Sequence, residues 1–208
     1  MRPNARWSVG VVLGAALASG SRAWAINNLA QAPSRAIWTE PALFVDKGVL
    51  FMASLCMNGT TDVTRTVNHL FRHDGDGLSP AEWRWLGPLT SKEDAQAFGA
   101  HTLEQADLVY GRDGQILYLV TPIEYGTLVK HFGCRVLEVE SLEPPRLRRG
   151  ADGRPVVRAT ITSSDTSPDG SGLCAYDPDS ATGVLLVRRE GDGVTETMWR
   201  LHATGVRP

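Results

Sequence analysis

The sequence has almost no net charge, because 21 Lys and Arg residues nearly balance 23 Asp and Glu residues to give a formal charge of −2. A chain this close to neutral lacks the usual electrostatic basis for binding nucleic acid or an anionic membrane. Uninterrupted helix-forming stretches are also scarce, because 21 glycines and 12 prolines are spread over the 208 residues. This density of turn-forming residues favours an all-β protein over a helical bundle.

Patterns for a cofactor or a metal are absent from the sequence. Its five histidines have neither HxH nor HExxH spacing, and no GxSxG, Walker or Rossmann motif occurs. Asp74–Glu82 resembles the later part of an EF-hand loop, but the spacing from Gly77 to Glu82 is one residue too short for a calcium ligand set. We therefore expect no metal and no cofactor.

The first 25 residues are typical of a secretory signal peptide. Arg2 and Arg6 precede the uncharged stretch Trp7–Ala18, and Ala23–Ala25 has the small-x-small pattern of a cleavage site. The apolar run is too short to form a stable membrane span. This interpretation predicts a periplasmic or secreted protein whose mature domain occupies residues 26–208.

A different interpretation of the N-terminus stays open. Val9–Ala18 and Arg22–Asn28 have the composition of two strands joined by a Ser-Gly-Ser turn, which would form a β-hairpin. The three cysteines, Cys56, Cys134 and Cys174, also allow two outcomes. They form one disulfide with one thiol left over, as export would favour, or they stay as three buried thiols.

A hairpin pattern recurs along the rest of the chain. Glu40–Ala53 contains two apolar strands around an Asp-Lys-Gly turn, and Glu104–Val120 contains two more around an Arg-Asp-Gly turn. Glu104 follows Glu40 by 64 residues. A looser third copy begins at Pro155 and continues to Tyr176.

Two further strand candidates follow each hairpin, and four antiparallel strands per unit predict propeller blades at about 38–90, 103–148 and 154–208. A short helix at Ser91–Phe98 is expected to link two of them. Three blades do not close a ring, so we expect an incomplete propeller, with a β-sandwich as the alternative. The further strand candidates are Val67–Arg72, Glu82–Leu86, Cys134–Val139, Leu142–Leu147, Val184–Arg188 and Met198–Thr204.

The stretch Trp38–Phe44, followed by Gly48–Ala53, resembles a blade of the five-bladed propeller glycoside hydrolases, the clan of arabinanases and β-xylosidases. At motif level the resemblance extends to Pro122. It implies that Glu40 is the general acid. In that family two catalytic Asp residues come from blades that precede the Glu, and no matching Asp precedes residue 40. The resemblance therefore implies an incomplete catalytic set.

Four residues are candidates for the site. Glycoside hydrolysis needs one protonated and one ionised carboxyl group, and inner strands of a propeller face a common axis, so Glu40 and Asp107 are the candidate catalytic pair. The alternative is that both are strand-end residues satisfied by backbone N–H groups or Arg. Trp83 and Trp85 lie on one strand face, where they would stack on a sugar ring or pack in the core.

The sequence thus predicts an exported glycan-handling protein that resembles propeller glycoside hydrolases, with carbohydrate as its partner. A non-enzymatic binding or scaffold module built on the same blades is the alternative.

Overall fold

The computed structural model describes residues 38–57, 66–77, 79, 82–127, 129–162, 174–190 and 198–208. The predicted signal peptide and its hairpin alternative both lie outside the described residues. Strands make up most of the described part of the chain, together with one short α-helix.

The first sheet contains four antiparallel strands in the order of the sequence. The turn between the first two is a two-residue hairpin in which Lys47 and Gly48 have φ values of 50° and 81°. Positive φ at both positions gives the turn the twist that a tight hairpin requires. The first predicted unit is therefore confirmed, with strands β1 (Trp38–Asp46), β2 (Val49–Cys56), β3 (Val67–His73) and β4 (Trp83–Pro88).

The predicted linking helix is confirmed as α1, Lys92–Gln96. Ser91 caps it, because its hydroxyl accepts a hydrogen bond from Asp94 N while the Asp94 carboxylate accepts one from Ser91 N, at 3.3 and 2.8 Å. This reciprocal box satisfies two backbone donors that the helix itself leaves unpaired. Asp94 is buried and also pairs with Arg149, which precedes the last strand of the second sheet, so the helix is held against that sheet.

The second sheet follows the helix and has four main strands in the order β5-β6-β8-β10, with β7 paired to β6 and β9 paired to β8. These strands are β5 (Thr102–Tyr110), β6 (Ile116–Glu124), β7 (Lys130–His131), β8 (Cys134–Leu142), β9 (Pro145–Leu147) and β10 (Val157–Ile161).

The position of β10 corrects the predicted third unit, which was expected to begin at Pro155. β10 pairs with β8 and completes the second sheet. Its Arg158 contacts the Glu138 and Asp113 carboxylates of that sheet, at 3.1 and 2.7 Å. The predicted fourth strand of the second unit, Leu142–Leu147, contains the last residue of β8, a two-residue turn and the short strand β9, which pairs back onto β8.

The third sheet has the order β11-β12-β13, with strands β11 (Cys174–Ala175), β12 (Leu185–Glu190) and β13 (Met198–Ala203). A disulfide between Cys134 and Cys174 joins β8 to β11. Cys56 is a buried thiol. The cysteines therefore follow the first of the two outcomes that the sequence left open.

The three sheets stack face to face in chain order. Strand β6 illustrates the arrangement, because its side chains alternate between two cores. Tyr118 and Val120 pack with residues of the first sheet, whereas Leu117 and Leu119 pack with residues of the third. The first strands of the sheets also contact one another, β1 with β5 and β5 with β11. The described residues thus form an all-β, incomplete propeller-like fold.

A closed ring of ion pairs links the outer part of the first sheet to the β8–β9 turn. Arg72 and Arg84 each contact both Asp74 and Glu143, with N–O distances of 2.7 to 2.8 Å. Two guanidinium groups on β3 and β4 therefore alternate with two carboxylates around the ring. Among the described residues, no helix is long and apolar enough to cross a membrane.

Opening the Cys134–Cys174 cross-link tests how far the third sheet depends on it. The cysteines are 40 residues apart in sequence. Replacing both by Ala should lower the free energy of unfolding by about 4 kcal/mol, because the unfolded chain regains the entropy of the open loop. Denaturant unfolding measures this, and reductant should destabilise the wild type while leaving the double variant unchanged. A wild type insensitive to reductant would contradict the cross-link.

Candidate active site

Irregularities in β1 and β5 place two glutamates in different surroundings. The register of β1 against β2 shifts between Thr39 and Ala42, and that of β5 against β6 shifts between Glu104 and Asp107. Glu40 therefore lies inside its bulge, with φ of 53°, and is exposed. Glu104 is the last paired residue before its bulge. Bulges of this kind redirect side chains and are frequent beside active sites.

Glu104 is buried, with only 7% of its surface exposed. The Tyr125 hydroxyl lies 2.9 and 3.0 Å from its two carboxylate oxygens and donates to the carboxylate. Burial, and after it the negative charge of Glu40, raise the pKa of Glu104 to about 7, although hydrogen bonds from Tyr125, Thr102 and Thr66 oppose the rise. A carboxyl group with a pKa in this range can hold or release a proton near neutral pH.

Asp107 lies three residues further along β5. Burial raises its pKa to about 6, and a hydrogen bond from the Leu108 backbone N–H at 2.9 Å opposes the rise. Its negative charge reaches the hydroxyl of Tyr118 on the neighbouring strand. Asp107 and Glu40 therefore act on the same tyrosine hydroxyl.

Tyr118 lies in the electrostatic field of Glu40 and Asp107. Its side chain is fully buried, and its hydroxyl has no hydrogen-bond partner among the described residues. Burial raises the pKa of Tyr118 well above its ordinary value, and the charges of Glu40 and Asp107 add to the shift. We call Glu40, Glu104, Asp107, Tyr118 and Tyr125 the carboxylate–tyrosine cluster.

The cluster includes both predicted catalytic residues and adds three that the sequence reasoning missed. Glu104 was recognised as a mark of the repeat and not as a site residue. Its spacing of 64 residues from Glu40 was the available signal. No local pattern pointed to Tyr118 or Tyr125.

The predicted sugar-stacking residues lie elsewhere in the first sheet. Trp83 and Trp85 are on β4, three strands from β1, or about 14 Å at the usual strand spacing. The Trp85 indole N–H donates to His69 Nδ1 at 2.9 Å, and the Trp83 ring centroid lies 5.0 Å from that of His73. Burial lowers the pKa of His69 to about 4, so this ring is neutral at physiological pH.

A cleft of about 510 Å³ lies between α1 and the connection from β9 to β10. The Arg149 guanidinium at its wall is committed to the carboxylate of Asp94, with Nη2 3.1 Å from Oδ2. Two of the charged side chains that line the cleft therefore neutralise each other.

The loop between β3 and β4 does not present its carboxylates to a common point. Asp74 contacts Arg72 and Arg84, while Glu82 accepts a hydrogen bond from Gly77 N at 3.1 Å and lies 3.2 Å from His73 Nε2. Within the described ranges, no group of three or more His, Cys, Asp or Glu side chains is arranged to hold a metal ion.

Comparison with known proteins gives weak structural similarity alone. No family model and no curated protein matches the chain. The crystal structure of an α-L-arabinofuranosidase from Lactobacillus brevis aligns with a TM-score of 0.44 and 16% sequence identity. The alignment covers 76% of this chain and 45% of that enzyme, so the chain spans less than half of its length.

The raised pKa of Glu104 makes stability depend on pH. The folded protein holds the Glu104 proton more tightly than the unfolded chain, so its contribution to stability is present below pH 4.5 and is lost as the pH rises through about 7. Glu104→Gln, which carries no charge, should therefore gain up to about 3 kcal/mol relative to the wild type between pH 4 and pH 8.

Denaturant unfolding across this pH range measures the effect. Glu124→Gln is the matched control, because Glu124 forms an exposed ion pair with Lys130 at 3.1 Å. The control should run parallel to the wild type, since exposed ion pairs contribute little. Parallel curves for Glu104→Gln and the wild type would contradict the prediction, because they would show that folding does not raise the pKa of Glu104.

Proposed function

We propose that the protein is a glycoside-hydrolase-like carbohydrate-handling protein that uses the carboxylate–tyrosine cluster, with Glu104 as general acid and Glu40 as the ionised partner. The observation that carries the proposal is the buried Glu104 carboxyl, with a pKa of about 7, in the electrostatic field of an exposed second glutamate.

The chemistry of glycosidic bond cleavage accounts for this pairing. The leaving oxygen needs a proton, and the sugar carbon needs an attacking group, which is a carboxylate or a water that a carboxylate activates. Two glutamates in different environments divide these tasks, because burial keeps one protonated while exposure leaves the other in contact with solvent. The two bulges create this difference between Glu104 and Glu40.

The remaining members of the cluster have supporting roles in this proposal. Tyr125 fixes the orientation of the Glu104 carboxyl through its hydroxyl contact with both oxygens. Asp107, with a pKa of about 6, adds negative charge when ionised and thereby favours the protonated form of Tyr118. The resemblance implied that Glu40 is the general acid; this proposal gives that role to Glu104 and makes Glu40 the solvent-facing ionised partner.

A glycan-binding or scaffold module is the second candidate. The contact of Tyr125 with both oxygens of Glu104, together with its burial, is also the environment of a satisfied structural acid. In such a module the cluster would hold the two sheets together, and any sugar would bind without turnover.

Turnover of aryl pentosides and arabino-oligosaccharides separates the two candidates. If the wild type is active, Glu104→Gln and Glu40→Gln should each lower kcat by about 10²- to 10⁴-fold, because each removes a proton-transfer or attacking group. Activity in the wild type should fall above about pH 7, where Glu104 loses its proton. Glu124→Gln should keep full activity, and circular dichroism checks that every variant is folded.

Two results without turnover have different meanings. Calorimetric binding of arabino-oligosaccharides without turnover would identify a binding module. The absence of both binding and turnover with these substrates would refute the proposed function.

A further inference from the structure

A partly buried arginine on β8 has no carboxylate partner among the described residues. Arg135 is exposed only in part, and burial lowers its pKa without an opposing acid. Arg158 on the neighbouring strand β10 shows the contrast, because it pairs with Glu138 and Asp113, and these contacts raise its pKa. A guanidinium keeps its charge in proteins, and buried charges are ordinarily paired. Within the described part of the chain, the charge of Arg135 therefore has no counter-ion.

The protein fixes the orientation of the Arg135 guanidinium. Its Nη1 donates to the backbone oxygens of Phe132 and Cys134, at 3.1 and 3.2 Å. The guanidinium carbon lies 5.8 Å from the centroid of the Phe98 ring, just after α1. These contacts commit Nη1 and leave the N–H groups of Nε and Nη2. Neither nitrogen is a buried atom without a partner, so the edge that they form is open to solvent.

The open edge of Arg135 matches one kind of anion. The N–H groups of Nε and Nη2 are nearly parallel, and two parallel donors fit the two oxygens of a carboxylate. A phosphate group carries about two negative charges at neutral pH and would need a further cation. Lys130 on β7 and Arg158 on β10 are already paired with carboxylates of the protein. A singly charged carboxylate is therefore the better fit.

Two neighbouring side chains suit a sugar that carries this carboxylate. Thr160 on β10 is the Cα partner of Arg135, so the two residues share a face of the sheet, and Thr160 is exposed. Its hydroxyl can donate or accept a hydrogen bond. Phe98 is partly exposed and provides an apolar ring beside the guanidinium. Together they offer a polar and an apolar contact next to the charged edge.

We propose that the open edge of Arg135 binds the carboxylate of a uronic acid unit, with Phe98 and Thr160 contacting the sugar. The choice of a sugar acid rests on the proposed carbohydrate function, whereas the preference for a carboxylate follows from the guanidinium. The site is separate from the carboxylate–tyrosine cluster, because β6 with the fully buried Val120 lies between Arg135 and β5. It therefore contributes recognition and not bond cleavage.

Titration calorimetry near neutral pH tests the proposal, with galacturonic acid as the probe and galactose as its neutral match. Arg135→Lys keeps the positive charge but replaces the planar fork by a point charge, so it should weaken galacturonate binding by at least about tenfold. Arg112→Lys is the matched control, because Arg112 is exposed on the turn between β5 and β6. It should bind galacturonate as the wild type does. Circular dichroism checks that each variant is folded.

A second variant tests the sugar contact. Phe98→Leu keeps an apolar side chain and removes the ring, so it should weaken the binding of galacturonate and leave that of acetate unchanged. No galacturonate binding, equally tight binding of galactose or acetate, or equal affinities in the wild type and Arg135→Lys would each overturn the proposal. Galacturonate binding by a protein that neither binds nor cleaves arabino-oligosaccharides would refute the proposed function and support this site.

Discussion

Alternation of side chains along β6 is the constraint on which the fold depends. Successive residues on this strand face opposite sides, and both sides are apolar, so the second sheet must have a layer on each. Tyr118 takes part in one core and Leu119 in the other. The stacking of three sheets follows from this two-sided burial. It also sets the place of the candidate site, since β1 and β5 meet where the first two sheets pack together.

A one-residue difference in where two bulges fall separates the two glutamates chemically. The sequence treats Glu40 and Glu104 as equivalent members of a repeat. In the fold, one falls within its bulge and the other before it, so one is exposed and the other is buried under Tyr125. Repetition thereby supplies two similar acids, and local irregularity gives them different proton affinities. The alternation of burial along each strand is what makes so small a shift effective.

Local features were the most predictable from the sequence. The hairpin turn at Lys47 and Gly48 and the cap at Ser91 depend on residues a few positions apart, and both occur where expected. The assignment of β10 was wrong because its partner β8 lies well away in sequence, and the contact of Arg158 with Asp113 spans 45 residues. Tyr125 was missed for a similar reason. Its role follows from the packing of a loop against β5, which no short pattern encodes.

The ring formed by Arg72, Asp74, Arg84 and Glu143 gives the fold two different kinds of attachment. Near the first strands, the sheets are joined by apolar packing that salt does not weaken. At their far edge, this ring joins them through half-exposed charges, which mobile ions screen. Concentrated salt should consequently weaken the attachment between the sheets at the ion-pair ring, while the apolar packing near their first strands holds them together.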